Sequence, residues 1–205
     1  MKRQNLLMIG LAAVLTSATQ GSQEQLASSI RDVRLETVRT SEQLKATVGA
    51  LNMLNKQKKG DLRPTYDTFC AQVANTQKAA DWTAARVKWM DGDGQDYFKD
   101  WQAGITTIAN ESLRKKSQKR IEAVRSDFDK VKVELKVVSE KFRPFISDLT
   151  DIQKTLAADV TADGVKAARS SVRSANTAYE EVNDAVHSAL KELAKLEKAL
   201  SPEAK

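Results

Sequence analysis

Residues 121–145 read IEAVRSDFDKVKVELKVVSEKFRPF. Apolar side chains recur in this segment at alternating steps of three and four residues. That spacing places one narrow apolar stripe along one side of an α-helix, as in coiled coils and long helical bundles. The stripe consists of Ile121, Val124, Phe128, Val131, Leu135, Val138, Phe142 and Phe145.

The same spacing continues over most of the chain, in residues 26–54, 62–90 and 165–200. The 205 residues include only 8 Gly and 3 Pro, whereas a sheet protein needs turn residues between many short strands. The sequence therefore predicts an all-α fold, an elongated antiparallel helical bundle or coiled coil of about four long helices.

The first predicted unit of this bundle is a helical hairpin over residues 22–90. Ser22 and Gln25 fit a capping box, in which two side chains satisfy free amides at a helix N-terminus. Gly60 suits the left-handed residue that ends many helices. The two stripes on either side of Gly60 are equal in length, as antiparallel neighbours require.

The second predicted unit is a helix over residues 95–158, which follows a turn at Asp91-Gly92-Asp93-Gly94. The step of the stripe changes between Ile108 and Ile121, which indicates a stutter or a bend. Pro144 predicts a kink, since proline removes an amide and clashes with the preceding turn.

The last predicted helix covers residues 162–200, with Thr161 or Asp163 as its N-terminal cap. Because its stripe is as long as the one that ends at Leu156, the two helices are predicted to form a second antiparallel hairpin. Residues 201–205 are predicted to be a flexible tail.

Residues 1–18 have the pattern of a secretory signal peptide. Lys2 and Arg3 precede a short apolar run from Leu6 to Leu15, and Thr16 and Ala18 are small residues suited to a cleavage site after Ala18. The run is shorter than the ~20 residues of a membrane-spanning helix. We therefore expect an exported, periplasmic protein, and an uncleaved anchor is the alternative.

Net charge suggests the chemistry of a partner. Removal of residues 1–18, which hold two basic and no acidic residues, lowers the charge from +6 to +4. An exported chain meets little nucleic acid, so anionic lipid or cell-wall polymer is the expected counterpart. The strongest basic cluster is a candidate patch for such a partner, and a solvated helix surface is the alternative. The cluster comprises Arg114, Lys115, Lys116, Lys119 and Arg120.

No residue pattern predicts catalysis, a cofactor or a metal. His187 is the only histidine, so the pair Asp184 and His187 has no second half-site. A calcium loop starting at Asp91 would need Glu at its twelfth position, where Gln102 stands. Cys70, the only cysteine, is expected to be a packed thiol, and a disulfide-linked homodimer is the alternative.

Two tryptophans lie beside the stripe of the second helix. Trp82 and Trp89 are seven residues apart, next to Thr83 and Met90. We expect both rings to pack in the core toward a third helix, with Trp101 as their contact. An exposed aromatic patch for a partner is the alternative.

Several short motifs between Gly60 and Leu193 carry a family resemblance. The chain resembles an exported bacterial helical family, domain-of-unknown-function family twenty-nine fifty-nine. That resemblance implies an all-helical envelope protein and no activity. Members usually have a lipid-attachment cysteine where this chain has Thr19. Because of this departure, we expect no lipid anchor on this protein. The motifs are Gly60-Asp61-Leu62 with Tyr66, Tyr97-Phe98 with Trp101, Asn110 with Leu113-Arg114 and Ser117, and Phe142, Pro144, Phe145, Asp148 and Leu149.

Together these features predict a non-catalytic, exported coiled-coil protein of the envelope that acts through protein–protein contacts as a scaffold, spacer or regulator. The alternative function is a module that binds anionic envelope lipid or polymer through the basic cluster. An enzyme is disfavoured because straight helical stripes provide no cleft of convergent polar groups.

The predicted cleavage is tested by N-terminal sequencing of the protein purified from cells that express the full sequence. We expect the purified chain to start at Thr19. Ala18→Leu places a bulky residue at the cleavage position and should leave residues 1–18 attached. An unprocessed N-terminus in the unsubstituted protein contradicts the signal-peptide assignment.

Overall fold

The structure is a computed structural model that describes the backbone of residues 3–200 and the side chains of residues 19–200. Over this range it contains five helices and no strand, which confirms the all-α class. The predicted cleavage site and the tail at 201–205 lie outside the described side chains. The helices are α1 (Arg3–Lys56), α2 (Arg63–Thr106), α3 (Glu111–Ala158), α4 (Ala162–Ala167) and α5 (Arg169–Leu200).

The chain divides into two compact units. Unit 1 comprises Met1–Arg34, Arg86–Lys132 and Glu192–Lys205, and unit 2 comprises Leu35–Ala85 and Val133–Lys191. Within the residues that the structure describes, no helix is both long enough and apolar enough to span a membrane.

The core of unit 2 is formed by the predicted apolar stripes. Phe69 and Phe145 are its largest fully buried side chains, and both occupy stripe positions. Polar side chains on and beside the stripes are paired as well: the Thr47 and Thr76 hydroxyl oxygens lie 2.6 Å apart, and the half-buried Asn52 and Asn176 side-chain amides donate to each other. Pairing is needed because a buried polar group without a partner destabilises the fold.

The connection between α1 and α2 lies where the sequence predicts it. Gly60 has a φ of 81°, a left-handed conformation that costs glycine little. Asp61 Oδ1 then accepts a hydrogen bond from the Arg63 amide at 2.9 Å, and Pro64 occupies the first turn of α2.

The predicted reversal after α3 is also confirmed. Thr161 is the N-cap of α4, and its hydroxyl accepts a hydrogen bond from the Gly164 amide at 3.2 Å. A Cβ at Gly164 would overlap the Asp159 carbonyl, so only glycine fits this close approach. α3 itself is continuous through Pro144.

The predicted turn at residues 91–94 is wrong, because α2 continues through it to Thr106. The residues that suggested a turn have other roles within unit 1. Asp91 pairs with Lys132 at 2.6 Å, and Asp93 accepts hydrogen bonds from Gln25 and Ser29. Gly94 lies against the Phe128 ring, where a Cβ would overlap it. Glycine is retained here for helix packing, which outweighs its low helix propensity.

The predicted single helix over residues 95–158 is wrong as well, because this segment is divided between α2 and α3. The chain reverses at residues 107–110, between α2 and α3, and the change of step there marks a helix end and not a stutter. Asn110 caps α3, since its Oδ1 accepts a hydrogen bond from the Leu113 amide at 3.1 Å.

The predicted capping box at Ser22 is wrong as well. Ser22 lies inside α1, whose bounds are Arg3–Lys56, and its hydroxyl donates to the Thr19 carbonyl at 3.2 Å. A serine inside a helix often bonds to the preceding turn in this way.

Two glycine substitutions test the helical assignment of residues 91–94. Gly94→Ala should lower the free energy of unfolding by about 1–3 kcal/mol, because its methyl group overlaps the Phe128 ring. Gly92→Ala is the matched control: nothing lies within 4 Å of its Cβ. It should raise the free energy of unfolding by up to ~1 kcal/mol through helix propensity.

Urea unfolding followed by circular dichroism measures both changes. A destabilising Gly92→Ala contradicts the continuous helix, since a turn glycine is the residue that alanine replaces poorly. Combining Gly94→Ala with Phe128→Leu should restore part of the lost stability by removing the overlap.

Candidate functional site

The predicted basic cluster lies in the first turns of α3, within unit 1. All five of its side chains are exposed, so the structure presents every charge to solvent. Asn110 caps this helix end, and Glu111 is the acidic residue of its first turn. The cluster is therefore fixed to a capped helix and not to a loop.

The five cations differ in their partners. Lys115 pairs with Glu111 at 2.7 Å along the helix, and the Arg120 guanidinium lies 5.8 Å from the centroid of the Trp101 ring. Among residues 19–200, no carboxylate lies within 4.0 Å of the ammonium groups of Lys116 and Lys119. Most of the charge of the cluster is thus left without a counter-ion from the protein.

The cluster faces two different surfaces. One lies along the outer side of α3, next to Asn110, Glu111, Ser112, Lys115, Lys116 and Lys119. These residues come from successive turns of a single helix end and are all exposed, so the described side chains provide no opposing wall for this surface.

The second surface is a groove of about 400 Å³ with walls from α1, α2 and α3. We name it the α3 groove, and it lies entirely within unit 1. The Gln23 amide donates to the carbonyl of Leu200, the last residue of α5, at 2.8 Å. The groove therefore lies beside Leu200. Its lining residues are Thr19, Gln23, Tyr97, Trp101, Lys116, Ser117 and Arg120.

Hydrogen bonds fix the walls of the α3 groove. The Trp101 indole nitrogen donates to the Ser117 hydroxyl at 3.1 Å and so joins α2 to α3. The Thr19 hydroxyl donates to the Asp100 carbonyl at 3.5 Å and so joins α1 to α2. Among the residues whose side chains the structure describes, Lys116 and Arg120 are the charged members of the lining, and none of them is a carboxylate.

The Tyr97 side chain is 3% exposed, and its hydroxyl remains protonated at neutral pH. Burial raises the pKa of Tyr97 to about 12, and the positive charge of Arg120 opposes this rise. The phenol therefore serves the groove as a neutral hydrogen-bond donor. The ring also packs against Trp101, with centroids 5.4 Å apart and the ring planes tilted by 46°.

The expected core packing of two tryptophans is wrong. Trp82, in unit 2, is 60% exposed, and Trp89, in unit 1, is 54% exposed. Among the described residues, Trp101 has the Tyr97 ring and the Arg120 guanidinium as its ring neighbours, and not Trp82 or Trp89. The Arg86 guanidinium lies 4.8 Å from the centroid of the Trp89 ring.

The single histidine and the single cysteine each contact their own helix or the core of unit 2. The His187 Nδ1 lies 2.8 Å from the Asn183 carbonyl of its own helix, and Cys70 packs as a free thiol against the unit 2 core. No group of three or more potential metal ligands occurs among the described residues.

The sequence pattern identifies Lys116 and Arg120 as candidate site residues. It does not identify the other groove residues as part of a site, namely Tyr97, Ser117, Thr19 and Gln23. The available signal was Asn110 followed by Glu111, a helix start that predicts a reversal between α2 and α3. Given that reversal, Trp101 and Ser117 become neighbours on antiparallel helices.

Comparison with known proteins finds one family. The family described as "Protein of unknown function (DUF2959)" matches residues 17–200. No curated protein matches the chain. No solved structure matches it either. Because the match covers most of the sequence, the chain belongs to the DUF2959 family of proteins of unknown function.

Proposed function

We propose that this protein is a non-catalytic, exported helical protein of the bacterial envelope that acts through protein–protein contacts, as a scaffold, spacer or regulator. The observation that carries the proposal is the exposed ring of Trp89 on unit 1. Aromatic and arginine side chains are the residues most enriched where protein interfaces gain their affinity.

The surroundings of Trp89 favour a contact role. Arg86 covers one face of the ring, and its NH1 atom lies 3.2 Å from Asp32 Oδ2. The two contacts hold the ring in one orientation, so that little side-chain entropy is lost when a partner covers it. Exposed tryptophan costs solubility, and contact with a partner is a reason to keep it on the surface.

Site-specific photo-cross-linking in cells tests this proposal. A photoreactive phenylalanine analogue in place of Trp89 should give one reproducible protein adduct in the native envelope. The analogue in place of Leu113, which is 57% exposed in the same unit, is the control and should not give that adduct.

Affinity purification of a tagged copy gives the matching loss-of-contact measurement. Trp89→Ala should reduce recovery of the same protein by about tenfold or more, as for a residue central to an interface. Leu113→Ala should leave recovery unchanged. Equal adducts at both positions, or equal recovery with both alanine variants, contradict a protein contact at Trp89.

A second candidate function is the binding of anionic envelope lipid or polymer, as the basic cluster suggests. The favouring observation is that Lys116 and Arg120 line a groove to which residues 19–200 contribute no carboxylate. Charge that the protein leaves without a counter-ion attracts anions, and salt screens that attraction.

Charge reversal tests the second candidate. Replacing Lys115, Lys116, Lys119 and Arg120 with Glu should abolish salt-sensitive binding to vesicles that contain anionic lipid, measured by co-sedimentation. The fold should survive, because acidic side chains near a helix N-terminus are favourable. Binding that persists after reversal contradicts this function.

The matched control reverses four exposed lysines of unit 2, which changes the net charge by the same amount: Lys45, Lys78, Lys166 and Lys191. This variant should keep most of the binding. If both variants lose binding equally, net charge and not the cluster determines association.

A further inference from the structure

The described lining of the α3 groove offers hydrogen-bond donors and no negatively charged acceptor. Lys116 and Arg120 supply cationic N–H groups, and the Tyr97 and Ser117 hydroxyls supply neutral ones. The Ser117 oxygen accepts the indole N–H of Trp101, which leaves its own proton for another acceptor. Among residues 19–200, neither hydroxyl donates a hydrogen bond to the protein.

A ligand that suits this lining is rich in acceptors and negatively charged. A phosphate monoester presents three terminal oxygens and close to two negative charges at neutral pH. The two cations balance the negative charge of that group, and the two hydroxyls add neutral donors for its three terminal oxygens. A carboxylate presents two oxygens and one charge, so it satisfies the lining less well.

The volume of the groove is larger than a bare phosphate ion occupies. Its volume of about 400 Å³ falls within the range of pockets that hold small organic ligands. The Tyr97 and Trp101 rings, tilted against each other with centroids 5.4 Å apart, form one wall. An organic body attached to the phosphate, such as a sugar ring, can pack against such a wall.

We infer that the α3 groove binds a phosphate monoester carried on a small organic group, such as a sugar or the glycerol of a lipid headgroup. Lys116 and Arg120 hold the phosphate, and the Tyr97 and Ser117 hydroxyls donate to its oxygens. The inference rests on the second candidate function and specifies its ligand. Cleavage after Ala18, which the sequence predicts, adds the α-amino charge of Thr19 to the same lining.

Trp101 provides the signal for the test. Replacing the exposed Trp82 and Trp89 with Phe leaves Trp101 as the only tryptophan of the purified protein. Its fluorescence is recorded during titration with glucose 6-phosphate, with inorganic phosphate, and with glucose as the uncharged control. We expect a saturable change with both phosphates, tighter for the sugar phosphate, and none with glucose.

Two charge-matched double variants locate the site. Lys116→Gln with Arg120→Gln should weaken binding of glucose 6-phosphate by at least about tenfold, since each removes a charge-assisted hydrogen bond. Lys115→Gln with Lys119→Gln removes the same charge from the outer side of α3 and should change binding by less than about twofold, the effect of exposed charges.

Equal weakening by the two double variants overturns the inference, as does the absence of saturation with both phosphates. The second candidate function is judged separately, by the four-residue charge reversal. If that reversal abolishes vesicle binding while the two double variants behave alike, the cluster binds anions without using the α3 groove.

Vesicles distinguish the two sources of a phosphate monoester. Phosphatidic acid carries the monoester on a lipid, and phosphatidylglycerol carries a diester. Binding to phosphatidic acid that requires Lys116 and Arg120 identifies a lipid headgroup as the source. Binding of glucose 6-phosphate with no preference between the two lipids identifies a free organic phosphate. Either result supports the inference.

Discussion

Each long helix carries a narrow apolar stripe, and that stripe can leave water only against the stripes of neighbouring helices. In unit 2 the stripe of α1 includes Thr40 and Thr47, and that of α2 includes Thr76 and Thr83. Their hydroxyls are paired across the two helices, at 2.9 Å for Thr40 with Thr83. Leaving one such group buried without its partner would cost about 1–3 kcal/mol, so these pairs favour one register of α1 against α2.

Helix ends could be predicted from the sequence where a stripe ends and a turn residue follows. Gly60 and Gly164 satisfy both conditions, and both reversals lie where we expected them. Residues 91–94 contain turn residues, but the stripe does not end there, because the buried Met90, Tyr97 and Phe98 continue it across the glycines. The true reversal at 107–110 contains no glycine or proline and depends on the cap at Asn110. Local composition was therefore less informative than the continuity of the apolar stripe.

The candidate site was predictable in its charges and not in its shape. A run of basic residues can be recognised in a sequence without knowledge of the fold, whereas a groove depends on which helices lie side by side. Trp101 and Ser117 are 16 residues apart and meet only because α2 and α3 are antiparallel. The hydrogen bond from Gln23 to the Leu200 carbonyl, which places α5 beside the groove, is a further tertiary fact. No single-residue pattern contains either of these relations.

The positive charge at the α3 groove is a local property and not a reflection of net charge. Elsewhere in unit 1, cations on one helix meet carboxylates on another, as Arg34 meets Glu197 at 3.0 Å. Lys195 bonds to Asp127 at 2.8 Å and, with Lys130, holds the pKa of that carboxyl below its usual value. Such exposed pairs add little stability, but they neutralise the surface around them. Within the part of the chain whose side chains are described, the groove neighbours of Lys116 and Arg120 are aromatic rings, hydroxyls and an amide, with no carboxylate among them. Lys116 and Arg120 are consequently available to an external anion, whereas the paired cations already have a carboxylate partner.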